Sequence, residues 1–318
     1  MKKVILITGI GGDIAQGVAA IFREKRPGMH LIGVDVHEQH GGHLFVDQFA
    51  LVPGADSPKY LDAIKAIVRK YSIDVVIPMS EPELAVTRPF SELAPGVQWI
   101  TPGEQVVRAG LDKLETMRTL SGLGIPVPWT NPVSEGRPTS YPCILKNRLG
   151  SGSRAVFTVA NDEDAEYLVK RYPCAIYQEL LEPATREVTC AVYRSRTGEV
   201  ASLLMLRRLT GGFTGWAKVI KDEEATRMCE AIAQGLDLRG SMNVQLRLTD
   251  KGPRVFEINP RFSSTVLMRH RIGFSDVLWA LDEIEGKSVV FPEIPQGRIL
   301  VRVQGASVIE NVDTGAGL

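Results

Sequence analysis

The sequence predicts two kinds of folded region: an α/β region with a parallel sheet at the N-terminus, followed by an α+β region rich in antiparallel strands. Strand-like and helix-like segments alternate through residues 1–108, with a glycine-rich turn at residues 9–12. Alternation of this kind builds a parallel sheet wrapped by helices. From residue 175 onward, strand-like segments and turns dominate. Such strands pair in antiparallel fashion.

The elements of the first region follow from their residue patterns. Short apolar runs bounded by glycine or proline are typical of buried strands, and apolar residues at helical spacing indicate amphipathic helices. The patterns predict strands at 4–8, 31–36, 74–78 and 97–101, and helices at 14–25 and 59–71. We expect this region to end near residue 108.

The second region begins with a helix at residues 112–123. Gly124 ends it, and Pro126 and Pro128 prevent its continuation. The patterns then predict strands at 142–147, 155–159, 175–181, 187–195, 200–206, 241–248 and 253–258, and helices at 162–171, 223–236 and 276–285.

Composition narrows the class of protein. Of 318 residues, 37 are lysine or arginine and 37 are aspartate or glutamate, so no basic field favours nucleic acid or an anionic membrane. No apolar stretch approaches the roughly 20 residues that a membrane-spanning helix needs. The four cysteines are scattered singly, which argues against a zinc site and for a reducing compartment. We therefore expect a cytoplasmic protein with no nucleic-acid partner and no membrane association.

Polar side chains at two-residue spacing mark the strand at 253–258 and its continuation. Side chains alternate between the faces of a strand, so Glu257 and Asn259 project to one side. Carboxylate and amide oxygens suit Mg²⁺, which takes one or two carboxylates and leaves other places to water and phosphates. Gln245 on the preceding strand adds a third oxygen. Arg261 follows Pro260 in a loop, where its guanidinium can grip a phosphate or a carboxylate.

Two glycine-rich loops suggest different ligands. The first, at residues 9–12, is followed by Asp35, as in dinucleotide-binding proteins, although the fingerprint is incomplete. A structural turn is the alternative. The second loop, at residues 148–154, follows Lys146 on a strand. Its backbone amides can surround phosphates while Lys146 adds charge, although a flexible hairpin is equally consistent.

Taken together, the order of these motifs resembles the ATP-grasp superfamily. A lysine at residue 113 precedes Lys146 and its glycine loop, then the strand at 176–181, Glu187, and the run from Glu257 to Arg261. Residues 1–108 resemble the glycine-turn domain that precedes the ATP-grasp module in biotin carboxylases and carbamoyl phosphate synthases. The resemblance implies a two-lobed ATP-grasp domain, with a small lid subdomain at 109–179 and a C-terminal subdomain with a magnesium site at 180–318.

The resemblance also implies a role for each motif, with ATP and Mg²⁺ as cofactors. The residues implied to bind ATP are Lys113 and Lys146 at the phosphates, Gly150, Ser151, Gly152 and Ser153 in the lid loop, Gln178, Glu179 and Leu181 along adenine, and Glu187 at the ribose. The implied magnesium ligands are Gln245, Glu257 and Asn259, and the resemblance implies that Arg261 and Lys146 act in catalysis. Arg208 is a further catalytic candidate for a separate reason, because it precedes a glycine-rich segment at residues 211–216 that could order over phosphates or substrate.

The activity that the resemblance implies is an ATP-dependent ligase acting on small molecules. Such an enzyme forms an acyl phosphate on a carboxylate, an amine attacks it, and ADP and phosphate are released. Carbamoyl phosphate synthases have a further arginine where this chain has residues 263–265, so that activity is not expected. Relatives often form dimers, so a homodimer is a further expectation.

Several assignments remain open at this stage. Lys218, Arg269 or Arg271 could hold substrate, as could Glu81 or Glu83 after the strand at 74–78. Two other functions also remain: an NAD(P)-dependent oxidoreductase that uses the first glycine loop, and an ATP-binding regulator without catalytic activity.

Overall fold

The computed structural model describes residues 3–87, 90–150, 155–303 and 305–307. The first region forms a five-stranded parallel sheet in the order β3-β2-β1-β4-β5. Its elements are β1 (Val4–Ile7), α1 (Asp13–Lys25), β2 (His30–Asp35), β3 (Gln48–Leu51), α2 (Tyr60–Tyr71), β4 (Val75–Ile77), α3 (Glu81–Val86), α4 (Phe90–Leu93), β5 (Gln98–Trp99) and α5 (Glu104–Leu111). Strand β3 was not predicted, and α5 runs across the expected boundary at residue 108.

Backbone amides of the turn after β1 donate hydrogen bonds within the protein. It begins at Gly9, whose φ of +56° is strained for any residue with a side chain. The amide of Gly11 donates to the Asp35 carboxylate at 2.8 Å, and the amide of Gly12 donates to the Gly9 carbonyl at 2.9 Å. These two amides are therefore not available to a pyrophosphate.

A 3-10 helix at Gly41–Phe45 also covers this turn. A Cβ atom on Gly42 would lie 2.5 Å from the Ile10 carbonyl oxygen, and one on Gly11 would lie 2.7 Å from the His40 ring. The protein itself therefore fills the space above the glycine loop. Both observations argue against a dinucleotide site here and favour the structural reading of the turn.

The second region has two lobes. The small lobe is an antiparallel sheet in the order β6-β9-β7-β8, with α7 packed on it. Its elements are α6 (Lys113–Gly122), β6 (Thr130–Pro132), β7 (Cys143–Asn147), β8 (Val156–Val159), α7 (Asp162–Arg171) and β9 (Ala175–Glu179). Helix α6 contacts β6 of this lobe and also packs against the large lobe, on the strand at Gly252–Asn259.

The large lobe is a six-stranded antiparallel sheet in the order β14-β13-β10-β11-β12-β15. Its elements are β10 (Glu187–Arg194), β11 (Val200–Thr210), β12 (Phe213–Val219), α8 (Glu223–Gly235), β13 (Gly240–Thr249), β14 (Gly252–Asn259), α9 (Val266–His270), α10 (Asp276–Ile284) and β15 (Ile299–Val301). The expected fold class, a parallel-sheet domain followed by two antiparallel lobes, is confirmed.

The two faces of the large sheet have different surroundings. One face is apolar and packs on α5, α6 and α8, with Val188, Val244 and Ile258 at its centre. On the other face, Ala191 and Met205 join a core that continues into α1 and β1 of the first domain. The end of this second face beyond the core is polar and open. Among the helices of the described residues, none is long and apolar enough to cross a membrane.

Candidate active site

A cavity of about 600 Å³ lies between the small lobe and the polar end of the large sheet. This volume is in the range of small-molecule sites. The expected site residues that line it are Lys113, Lys146, Gly150, Gln178, Glu179, Leu181, Glu187, Gln245 and Glu257. Residues separated by more than 100 positions in the chain are thus brought to one cavity. Ser151, Gly152 and Ser153 lie outside the described residues.

The proposed adenine wall is the end of β9. Pairing with β7 ends at Glu179, and the backbone then leaves the sheet at Leu180 and Leu181. The Gln178 amide donates to Thr130 at 3.0 Å, and the Glu179 carboxylate accepts from Arg254 at 3.1 Å. Both side chains are thus held by the protein, so a contact with adenine here remains a prediction for the backbone of this segment.

The two lysines approach the cavity from different elements. Lys113 is the first residue of α6, which Asp112 caps by accepting from the Leu114 amide at 3.0 Å. The Lys113 ammonium donates to the Gly150 carbonyl at the start of the glycine loop. Asp112 also binds the Arg148 guanidinium through both oxygens, at 2.8 and 2.9 Å. These hydrogen bonds therefore join the start of α6 to the start of the glycine loop, beside Lys113.

Lys146 is buried on β7 and faces β14. Its ammonium lies 3.4 Å from the Phe256 carbonyl oxygen and 5.8 Å from the centre of the Phe256 ring. Burial lowers the pKa of Lys146 to about 8, an effect that the nearby Glu257 carboxylate opposes and the Lys113 charge reinforces. A phosphate in the cavity would favour the charged form of this lysine.

This shift predicts that ATP binding depends on pH. Because ATP prefers the charged lysine, affinity should be nearly constant below pH 8 and fall as pH rises through about 8, with proton uptake on binding. Calorimetry at several pH values and in buffers of different ionisation enthalpy measures both effects. Lys146→Met should bind weakly and without this pH dependence. An equal decline in the variant would assign the titration to another group.

Register aligns the expected metal ligands across two strands. Gln245 of β13 pairs with Glu257 of β14, and Asn243 pairs with Asn259. The register shifts after Gln245, so Phe256 is an extra residue with no counterpart on β13. This bulge turns both Phe256 and Glu257 toward the cavity. The irregular apolar pattern around Glu257 therefore has a local cause, a bulge at the cavity wall.

Arg207 connects the proposed ribose and metal residues, and its role was not anticipated. Its guanidinium donates to Glu187 at 2.6 and 2.8 Å and to the Gln245 side-chain oxygen at 2.8 Å. Arg247 holds the second Glu187 oxygen. Glu187 is thus paired with two arginines in this structure, and its contact with ribose remains a prediction. Alternation along the strand puts residues 207 and 208 on opposite faces, but it does not say which of the two faces Glu187.

Arg208, expected to be catalytic, points elsewhere. Its guanidinium is exposed and donates to the carbonyls of Thr185, at 2.7 Å, and of Arg207, at 3.0 Å. It does not line the 600 Å³ cavity, whereas Arg207 does. We therefore replace Arg208 by Arg207 in the proposed site. Lys218 is likewise exposed on β12 and does not line the cavity.

Asn243 is a further polar residue on the same face that sequence reasoning missed. It is 1% exposed, and its side-chain oxygen faces the Thr189 hydroxyl at 2.9 Å. Its amide nitrogen has no hydrogen-bond partner among the described residues. Its position two residues before Gln245 on one strand was the signal that could have identified it.

Arg261 lies beside Asn259 and touches the first domain. Its guanidinium donates to the Asn259 oxygen at 3.4 Å and to the Glu81 carboxylate at 3.1 Å. Neither Arg261 nor Asn259 lines the 600 Å³ cavity, but Ser80 and Pro82, which flank Glu81, do. The cavity therefore extends to the carboxyl edge of the first domain's sheet, next to Arg261.

Two arginines that were open substrate candidates have other partners. Arg269 is 0% exposed and binds Asp276, Ser263 and Thr265, which leaves it a structural role in the loop after Arg261. Arg271 is partly exposed and pairs with Glu24 on the surface of the first domain. Neither guanidinium faces the cavity.

The residues present fit a magnesium ion that is bound through ATP. Gln245, Glu257 and Asn259 supply oxygen donors from two paired strands, with a single carboxylate among them. No group of three or more acidic, cysteine or histidine side chains suited to a metal occurs among the described residues. One carboxylate with amide oxygens leaves places for phosphate oxygens, as Mg²⁺ prefers. The oxygens of Gln245 and Asn259, which now accept from arginines, would have to exchange partners.

Comparison with known proteins agrees with this architecture. Residues 111–265 match the ATP-grasp domain family, and residues 5–98 match the PylC-like N-terminal domain. The chain is 23% identical over 265 residues to the 3-methyl-D-ornithine--L-lysine ligase of Methanosarcina barkeri, covering 83% of this chain and 68% of the relative. It is 26% identical over 200 residues to the carbamoyl phosphate synthase large chain of Sulfurisphaera tokodaii, but covers only 19% of that protein.

Solved structures share the whole arrangement of domains. N5-carboxyaminoimidazole synthetase from Staphylococcus aureus, complexed with ADP, superposes with a TM-score of 0.77 at 18% identity, covering 95% of this chain and 83% of that one. Biotin carboxylase from Campylobacter jejuni superposes with a TM-score of 0.71 at 18% identity, covering 94% and 74%. The chain thus carries an ATP-grasp domain over residues 111–265, preceded by a PylC-like N-terminal domain over residues 5–98.

Proposed function

We propose that the protein is an ATP-dependent ligase that joins a carboxylate to an amine through an acyl phosphate, releasing ADP and phosphate. The observation that carries the proposal is the convergence of Lys113, Lys146, Gln245 and Glu257 on one cavity in an ATP-grasp domain. A relative is named as a ligase of two amino acids, which supports carbon–nitrogen bond formation. Small-molecule carboxylates and amines are the proposed substrates.

The charges of the site suit phosphoryl transfer. Lys113 and Lys146 would offset the negative charge of the ATP phosphates, and Arg261 would hold the phosphoryl group that moves to the substrate carboxylate. Gln245, Glu257 and Asn259 would hold magnesium, which neutralises charge on the same phosphates when it is bound. No covalent enzyme nucleophile is needed, because the substrate carboxylate attacks phosphorus directly.

The test is ADP release with a panel of carboxylates. Purified protein with Mg-ATP is assayed on amino acids, sugar acids and hydroxy acids, each with hydroxylamine as a general nucleophile. Hydroxylamine converts an acyl phosphate into a hydroxamate, which is measured as its coloured iron(III) complex. The proposal predicts ADP and hydroxamate in equal amounts with at least one carboxylate. ATP binding without ADP release on any substrate would indicate a regulator, and binding of NAD(P)(H) without ATP would indicate an oxidoreductase.

The proposed assembly is a homodimer. Light scattering of the purified chain measures its mass against the 34.9 kDa of one copy. A mass of one copy at micromolar concentration would contradict this part of the proposal.

A further inference from the structure

Glu81 is a buried carboxylate of the first domain that lies at the proposed site of phosphoryl transfer. It is the first residue of α3, which follows β4 at the carboxyl edge of the parallel sheet. It is 6% exposed, and its nearest charged partner is Arg261, 180 positions away in the chain and 3.1 Å distant. The residues on either side of it line the cavity. Burying a carboxylate lowers the stability of the folded protein unless a partner compensates its charge. Buried ionisable groups beside a cavity often belong to functional sites.

The neighbouring acid shows what a purely structural carboxylate looks like in this domain. Glu83 is 2% exposed and accepts hydrogen bonds from the Thr8 hydroxyl at 2.6 Å, the Tyr60 hydroxyl at 2.6 Å and the Met79 amide at 3.2 Å. Its oxygens are thus committed to the first domain's own core. Glu81 instead has a single partner among the described residues, and that partner belongs to the phosphate site.

The charged side chains that act on Glu81 belong to the proposed phosphate and metal site. Burial raises the pKa of Glu81 above the ordinary range for a glutamate, while the charges of Arg261 and Lys113 lower it and that of Glu257 raises it further. Asp13 pairs with Arg302 at 3.3 Å; burial, the larger effect, raises the pKa of its carboxyl, which also lies near enough to Arg261 for the guanidinium charge to lower that pKa. Glu81 is therefore placed where a phosphate held by Arg261 and an incoming amine would meet.

We propose that Glu81 binds the ammonium group of the amine substrate and takes its proton, so that the free amine can attack the acyl phosphate. The inference rests on the proposed ligase function. Before ATP binds, Arg261 neutralises Glu81. When the acyl phosphate forms, Arg261 turns to the phosphate oxygens, and the carboxylate becomes available to the ammonium.

The ammonium gives one proton to the Glu81 carboxylate, and the nitrogen lone pair forms the bond to the acyl carbon. The bond between that carbon and the phosphate oxygen then breaks, and phosphate leaves with the second proton from nitrogen. Glu81 returns its proton to solvent at the end of the cycle. General base catalysis of this kind contributes about a hundredfold to ten-thousandfold in rate.

Glu81→Gln separates this role from the positioning of Arg261, because the amide keeps the size of the side chain and can still accept a hydrogen bond from the guanidinium. Hydroxylamine is largely uncharged at neutral pH and needs no base, whereas an alkylamine arrives as an ammonium. With the carboxylate that gives hydroxamate in the wild-type assay, the variant should keep hydroxamate formation within about threefold and lose at least about a hundredfold in ligation to an amino acid. Raising the pH should restore part of the ligation, since the amine then loses its proton unaided.

Two further variants distinguish the possible outcomes. Glu92→Gln removes an exposed carboxylate from the same domain and should leave both reactions unchanged. Glu81→Asp retains a carboxylate and should keep more ligation than Glu81→Gln; it serves as the second variant if the first does not fold, as judged by thermal unfolding. A parallel fall of hydroxamate formation and ligation in Glu81→Gln would overturn the proposal and leave Glu81 as a positioning residue. Absence of ADP release from the wild-type protein would instead refute the ligase function itself.

Discussion

Glu257→Gln is expected to lower carboxylate-dependent ADP release by about a hundredfold to a thousandfold, the usual loss when one charge-stabilising contact to a transition state is removed. Glu257 is the only carboxylate among the three proposed magnesium ligands, and it also faces the buried ammonium of Lys146. The change removes a negative charge without changing the shape of the side chain. The measurement is a coupled ADP assay over a range of Mg²⁺ concentrations.

Two controls, a matched variant and the thermal unfolding temperature, test whether the loss of activity in Glu257→Gln comes from the metal site. Glu223→Gln replaces an exposed glutamate at the start of α8 in the same lobe and should behave as wild type. The unfolding temperature of Glu257→Gln should stay close to that of the wild type, since glutamine keeps the size and shape of the side chain. Removal of Mg²⁺ by a chelator should abolish turnover of the wild type and its return should restore it. Full activity of Glu257→Gln would place the metal elsewhere.

Arg269→Ala is expected to destabilise the protein by about 3–5 kcal/mol, as is typical when one partner of a buried ion pair is removed. Arg269 donates to both oxygens of Asp276, at 3.0 and 2.6 Å, and both residues are 0% exposed. It also donates to the Ser263 and Thr265 hydroxyls at 2.8 and 2.9 Å. The substitution leaves the buried Asp276 carboxylate without its cationic partner, although the Ser241 hydroxyl still donates to it, and releases the loop that follows Arg261.

Arg271→Ala is the matched control, because it removes the same kind of side chain two residues away. Its ion pair with Glu24 is largely exposed, and such pairs contribute about 0–1 kcal/mol. Urea denaturation of the two variants and the wild type measures the free energy of unfolding. Equal and small losses in both variants would contradict the structural role of Arg269. We also expect slower ADP release in Arg269→Ala, because the loop carrying Arg261 depends on this network.

Much of the site could be predicted because its pattern is local. Alternation along a strand places Glu257 and Asn259 on one face whatever the rest of the fold, and the polar run is short enough to recognise in one segment. The order of the lysines, the glycine loop and this run indicated the superfamily before any contact was known. The identity of the bound nucleotide and metal remains a prediction.

Other residues could not be assigned because their roles depend on pairing. The predicted strand at 200–206 stopped short of Arg207, whereas β11 continues to Thr210 and bends between Arg208 and Leu209. Only the register with β10, which sets residue 206 opposite Val188, shows that Arg207 rather than Arg208 faces Glu187. The bulge at Phe256 is equally a property of two strands and not of one.

The sequence by itself determined most of the strands and helices, the two-lobed class of fold, the resemblance to ATP-grasp proteins and the polar residues Gln245, Glu257 and Asn259 on β13 and β14. Those features are encoded in periodicity and spacing within short segments, which local chemistry decides. Tertiary structure alone decided that Arg269 forms a buried ion pair and that the protein itself fills the space above the first glycine loop. It also decided that Glu81 accepts a hydrogen bond from Arg261. The physical reason is distance along the chain: Glu81 and Arg261 are 180 positions apart, and only the packing of one domain on another brings their charges within 3.1 Å.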